Sequence, residues 1–551
     1  MTLELLLAHA DEDRKGLPVE SLQSAPRPAE VEQPDRLWDA TANPNDLPSQ
    51  RWGLVAPKGP RGDALLALVE PLRQRRQQAQ GGERVAIYRV PPDMDGPLAA
   101  RWKKEVFRHE GTREADRPRY LLLLGDLNEV SLELQHALTT DAFVGRLAFA
   151  TDAGYAAYVD KVLRWEDATP RESNARMLFY TSRDGSSATE LGHRMLIAPS
   201  VTACRERQEL HCFPQADLVS LGDDGPVSLA SLLDHASARR PGVLFTLSHG
   251  RGRPASGWAH PEARLAHQGE LKLPDGGFLC ASELASRPFL PGGIWFSFAC
   301  FSAGTPARSS YAHWLRQLPE SDPNARRGLE ALPQQGERPF ISALPQAALA
   351  NPDGPLAVMG HVDLAWSHSF SDRGRGTPSR FIELLKELAA GSRAGVALQS
   401  LMQVLNEASS ELAALYNQEA LEHTQGRPST IDPLERARLW MARQDLANYV
   451  LLGDPAVRLS LAQARPAAPA PHPRLAMQAI LGSRFGAATA RPAERTATDI
   501  EEAVLALLTG RHPPEQLTAR YNVPLAELLR WEELYRAAGR EALARDLAGN
   551  G

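Results

Sequence analysis

The feature that most constrains this chain is a spaced series of short apolar runs, each five to seven residues long, separated by stretches of helical periodicity. The runs are 85–90, 119–125, 176–181, 218–222, 243–248, 294–299 and 357–362. Most are nearly continuous rather than alternating. Strands read this way when both faces are buried, as in a parallel sheet covered by helices on either side. Segments such as 152–165 and 227–238 carry the helical pattern between them. The alternation predicts an α/β sandwich with a mostly parallel sheet.

The chain has 551 residues, more than one hydrophobic core usually serves. Residues 1–50 lack periodicity and read as an irregular arm. Residues 51–205 and 206–461 read as two α/β subdomains, the second closing with an apolar run at 450–460. Residues 462–498 open with an Ala/Pro-rich linker, which should be extended and stiff. Residues 499–551 carry three helical patterns, and 513–537 resemble a helix-turn-helix. Residues 499–551 hold six Arg, no Lys and nine acidic residues, a net of −3. Phosphate contact needs a basic face, so the helices read as a protein-interaction module rather than a nucleic-acid binder. Elsewhere, 63–78 and 378–421 read as helical, and 432–447 opens on Asp432-Pro433, an N-cap followed by proline at the first helical position.

Several function classes are excluded or disfavoured. No run approaches the length of a membrane span, and the N-terminus makes a poor secretory signal, so a cytoplasmic chain is expected. The four cysteines are too few for a disulfide framework. Cys204 and Cys212, with His211 beside the second, lack a CxxC pair, so no metal is expected. No Walker A, GxGxxG or GxSxG motif is present, so no cofactor is indicated and a serine hydrolase is disfavoured.

Two runs deliver reactive side chains to their C-terminal ends: Leu247-Ser248-His249-Gly250 and Phe298-Ala299-Cys300-Phe301. Parallel α/β sheets bind ligands at that end of their strands. A thiol needs a base near neutral pH to become a nucleophile, and a histidine can take its proton and return it to a leaving amine. Gly250 has no side chain, so its N–H can approach a substrate closely. With the N–H of Cys300 it would supply the donors that an oxyanion needs. Taken singly, each residue also fits a plainer role, a buried small hydrophobe or a turn histidine. Together, 51 residues apart on successive strand ends, they read as a catalytic pair.

The segments Ser248-His249-Gly250 and Ala299-Cys300-Phe301-Ser302-Ala303-Gly304 resemble the catalytic motifs of clan CD cysteine peptidases. That group includes caspases, gingipains, separase and CHAT-domain proteases. Gly125-Asp126, Gly360-His361-Val362-Asp363 and Gly453-Asp454-Pro455 make the chain similar to gingipain-like (C25-type) bacterial sequences over about residues 50–460. The resemblance implies a caspase-like three-layer sandwich, a non-catalytic first subdomain, a His249–Cys300 dyad, an oxyanion hole from Gly250 and Cys300, and protein substrates. By family analogy it also implies a bacterial stress or phage-defence role. The chain lacks the caspase pentapeptide around Cys300. For specificity, Asp363 is the candidate to bind a basic P1 side chain, with Trp366 as a pocket wall; capping a loop and filling the core are the respective alternatives. Asp184 is the weaker acidic candidate, because Asp184-Gly185 also reads as a turn. The loop 251–293 either contacts substrate or is a surface insertion.

Overall fold

The computed structural model describes residues 42–462, apart from 255 and 317–322, together with 504, 528, 531 and 535. The arm before residue 42, the linker and most of the C-terminal helices lie outside the described residues. The chain divides into two compact units, 1–464 and 465–551.

Ten strands form the main sheet: β1 (Trp52–Pro57), β2 (Ala86–Val90), β3 (Tyr120–Leu124), β4 (Phe143–Leu147), β5 (Ala175–Thr181), β6 (Ala216–Leu221), β7 (Gly242–Leu247), β8 (Ile294–Phe298), β9 (Ala357–His361) and β10 (Tyr449–Leu452). Their order is β2-β1-β3-β4-β10-β9-β8-β7-β5-β6. All pairs are parallel except β9 with β10. Strand β10 joins β4 to β9, so the two halves share one sheet. Strand β5, assigned by sequence to the first half, hydrogen-bonds to β7 and β6 instead.

The near-continuous runs are explained by burial on both faces. Leu122 and Leu124 of β3 enter one core, while Leu121 and Leu123 enter the other with Val55, Leu134 and Leu138. The helices that matter below are α1 (Pro60–Leu68), α2 (Glu70–Ala79), α3 (Leu132–Thr139), α4 (Asp152–Asp167), α5 (Ser187–Gly192), α6 (Leu229–Ala236), α7 (Ser379–Ala389), α8 (Ala394–Thr424) and α9 (Pro433–Ala447). The single helix expected over 63–78 is broken at Val69, and the stretch 378–421 is two helices meeting near Gly391, whose φ is 79°. Asp432 caps α9 as expected, accepting from Leu434 N–H at 2.9 Å. Strands β1 and β4 were not among the predicted runs. Within 450–460 the strand ends at Leu452, and the turn expected at Gly453-Asp454-Pro455 begins with Gly453 at φ 112°.

The Gly453-Asp454-Pro455 and Gly125-Asp126 segments are structural cement. Asp454 is fully buried and accepts from Trp52 Nε1 at 2.9 Å and Arg76 Nε at 2.7 Å. Burial opposes the Arg76 charge, but Asp454 and Glu166 outweigh it and raise its pKa. Asp126 accepts from Ile341 N–H at 2.7 Å and pairs with Arg338 at 2.8 Å, which ties the end of β3 to the segment following the cysteine loop.

Candidate active site

Strands β7 and β8 are registered so that Leu247 lies opposite Phe298. Ser248 N–H extends the ladder to the Phe298 carbonyl at 3.1 Å. Two residues further along each chain, His249 and Cys300 leave the sheet at the same level. Both line one cavity of about 200 Å³, walled by Leu191, Gly192, Leu247, Phe298, Trp366 and Phe370. Strand β9 continues the pattern: Ser297 faces Gly360, and Phe301 N–H donates to the Asp363 carbonyl at 2.8 Å.

The turn after each strand is tight. Phe301 has φ 56° and Asp363 has φ 95°, values that bulky or charged residues seldom adopt. Such strain costs about 1–3 kcal/mol per residue and persists only where packing holds it. Phe301 is fully buried with Tyr311, Leu315 and Leu364, which holds it.

Gly250 is required by close approach. A Cβ built there would stand 1.7 Å from the Cys300 carbonyl oxygen and 3.0 Å from the Cys300 nitrogen. The Gly250 N–H donates to no acceptor among the described residues, and the Cys300 N–H reaches only its own sulfur. Two donors are therefore free beside the thiol.

At rest neither reactive group is bonded to the other. Cys300 Sγ donates to the Ala365 carbonyl at 3.6 Å and accepts from Ala365 N–H at 3.3 Å. Burial pushes the thiol up to about 11, Asp445 and Asp363 add to the rise, and the Ala365 N–H opposes it. His249 Nε2 lies 2.8 Å from Ser186 Oγ and 3.8 Å from Asp184 Oδ2. Burial lowers the imidazole pKa, Asp184 opposes this, and Lys272 adds to it.

The two carboxylate candidates fare differently. Asp363 is 1% exposed, does not line the cavity, and accepts from Leu364 N–H at 2.8 Å and Ser310 N–H at 3.2 Å. It has the geometry of a loop cap. Burial raises its pKa to about 6, against hydrogen bonds from Ser309, Leu364 and Ser310. Asp184 is the acid beside His249. It accepts from Lys272 Nζ at 2.9 Å and Thr189 Oγ1 at 2.8 Å. Burial would raise its pKa, but these bonds and those from Ser186 bring it well below the usual carboxylate range. Trp366 does line the cavity, and its indole Nε1–H is buried without a partner.

Sequence reasoning missed Lys272 and Asp445. Lys272 comes from the 251–293 segment, which folds into a helix at 261–267 and a short hairpin pairing 271–272 with 278–279. Asp445, on α9, is fully buried and accepts from Trp366 N–H and Ser369 N–H, each at 2.8 Å. It thus fixes the cavity wall. Burial raises its pKa to about 7, against those hydrogen bonds. The one signal for it was an acid on the same helical face as Met441 and Ala442. His361 of the Gly360-His361-Val362-Asp363 segment is fully buried against Tyr449, with ring centroids 4.5 Å apart, and burial takes its pKa down to about 3. Among the described residues no cluster of three or more His, Cys, Asp or Glu could hold a metal, and no helix is long and apolar enough to cross a membrane.

No family model and no curated protein matches the chain. Solved structures do. A protease is similar with a TM-score of 0.44 and 12% identity, over 76% of this chain and 79% of that one. The Arg-specific cysteine proteinase gingipain R (RGPB) is similar with a TM-score of 0.42 and 12% identity, over 75% and 78%. The separase–securin complex of Saccharomyces cerevisiae gives 0.30 and 11%, over 69% of this chain and 18% of that one.

Proposed function

We propose that this chain is a caspase-like cysteine endopeptidase in which His249 and Cys300 are the catalytic pair. The observation that carries the reading is their common level on adjacent parallel strands, lining one cavity beside the free N–H groups of Gly250 and Cys300. His249 takes the Sγ proton, and the thiolate attacks the peptide carbonyl carbon. Gly250 and Cys300 N–H groups hold the oxyanion. His249 then protonates the leaving amine, and water hydrolyses the thioester. Because the thiol is bonded to Ala365 and the imidazole to Ser186, both side chains must turn before reaction, which supports a resting enzyme that awaits substrate or a partner.

The cavity walls support an apolar P1 side chain over the basic one expected from Asp363, since that carboxylate is spent on the Ser310 and Leu364 amides. A basic P1 would depend on Asp184 and on moving Lys272 from it. A second reading, a catalytically silent scaffold binding partners through its C-terminal helices, is supported by a thiol that bonds the Ala365 backbone and not His249. Protein substrates, a cytoplasmic setting and a stress or phage-defence role belong to the first reading by family analogy.

The test is a fluorogenic peptide panel varying P1, run with wild type, Cys300→Ala and His249→Ala, beside labelling by a thiol-directed peptide probe. Cleavage abolished in both variants, fastest for apolar P1, is expected. Cleavage that survives Cys300→Ala, or a probe that labels another cysteine, would sink the assignment. A strict preference for Arg or Lys would return the specificity role to an acidic residue.

A further inference from the structure

A second cavity, of about 130 Å³, lies between α3, α8 and α9 and against β10. Its apolar walls include Val144 and Met402, and its polar lining includes His136, Asn406, Ser409 and Arg443. Arg443 is half-buried yet pairs with no carboxylate among the described residues. Its one hydrogen bond there runs from Nη1 to Gln444 Oε1 at 3.1 Å. By contrast, nearby Arg436 and Arg438 are both held by carboxylates. His136 Nε2 is buried without a hydrogen bond of ordinary geometry, beside the Ala447 carbonyl. The charges that act on it are Arg443 and Arg146, both cationic. Arg146 is turned away, donating to Gln135 Oε1 at 2.8 Å and to the Gly125 carbonyl at 2.8 Å.

A cation withdrawn from water without a counter-charge is unfavourable. An unpaired guanidinium facing a cavity is therefore arranged for an anion from outside the chain. We propose that this cavity binds a compact oxyanion, the phosphate or carboxylate group of a small solute, with Arg443 as its charge partner. The volume admits one such group and excludes a peptide.

The position of the site gives it a consequence. Tyr449 lines this cavity, and its hydroxyl lies 3.2 Å from Ser369 Oγ. Asp445 stands two residues from Arg443 on α9 and holds Trp366 and Ser369. Anion binding at one end of α9 therefore bears on the wall around Cys300. This link concerns thiol accessibility and holds whether or not Cys300 is catalytic.

The test is titration calorimetry of the full chain with inorganic phosphate and, separately, acetate, for wild type, Arg443→Met and Leu405→Trp. The third variant fills the rim of the cavity while leaving the charge, and covers the case in which loss of Arg443 disturbs folding. Wild type is expected to bind one of the two anions, and Arg443→Met to bind it at least about tenfold more weakly, the worth of one charge-assisted bond. Leu405→Trp should not bind. The better ligand of the two identifies the oxyanion class. In parallel, the anion should change the iodoacetamide rate at Cys300 in wild type and not in Arg443→Met. No wild-type binding at tens of millimolar, or equal binding by all three proteins, overturns the site. Binding that leaves the Cys300 rate unchanged overturns the link to the wall.

Discussion

Gly250→Ala isolates the contact that sets the spacing of the two reactive strand ends. The new Cβ would stand 1.7 Å from the Cys300 carbonyl oxygen, where real Cβ atoms keep at least 3.0 Å, so the strand ends must separate by 1.3 Å or more. The obstructing atoms are all Cys300 backbone, and no side chain can rotate away. Overpacking of this kind costs about 1–3 kcal/mol, and the rigidity of both partners puts this case at the upper end. A displacement near 1 Å in reacting geometry also costs about 100-fold in rate. Gly252→Ala is the control, since its Cβ would meet nothing nearer than the Ala331 Cβ at 3.6 Å. Urea unfolding should show a lower midpoint for Gly250→Ala and an unchanged one for Gly252→Ala. Peptide cleavage, or probe labelling of Cys300, should fall about 100-fold in the first alone. A Gly250→Ala protein with wild-type stability and wild-type labelling would refute the reasoning.

Three further outcomes are expected. With its thiol pKa raised to about 11, Cys300 should alkylate about tenfold faster for each pH unit from 7 to 10; a plateau below pH 8 would mean that His249 already holds a thiolate. Asp454→Asn leaves the buried Arg76 with a weakened partner, so chemical denaturation should register a loss of about 3–5 kcal/mol, with little change if the pair is dispensable. The Asp445 pKa is raised from 3.8 to about 7, so the folded state binds the extra proton. Its contribution is fully present below about pH 4 and is lost as pH rises through about 7, amounting to at most about 4 kcal/mol. Asp445→Asn should flatten that part of the stability–pH curve, and an unaltered curve would remove Asp445 as its source.

Much of the fold was legible because burial on both faces writes itself as uninterrupted apolar runs. Leu121 to Leu124 serve two cores at once, and a strand buried on both faces needs such a run. Strand β4 was missed because Gly145 and Arg146 interrupt its apolar pattern. Gly145 is there since a Cβ would stand 2.2 Å from the Gly453 carbonyl, and Arg146 is buried on hydrogen bonds to carbonyls and Gln135. Strand β5 was given to the first half because sequence order hides which strands it joins.

The sequence by itself determined the α/β class and the delivery of His249 and Cys300 to strand ends, because each rests on local pattern and side-chain chemistry; the need for glycine at 250 came from the Cys300 backbone that the tertiary structure brings against it. Only the tertiary structure decided the roles of the acids. Asp184, Asp363 and Asp445 are alike in sequence terms. Their parts are set by what packs around each carboxylate: Lys272 and Thr189 at the first, the Ser310 and Leu364 amides at the second, and the Trp366 and Ser369 amides at the third. A buried charge takes its meaning from partners that are distant in the chain, and register and packing alone bring those partners to it.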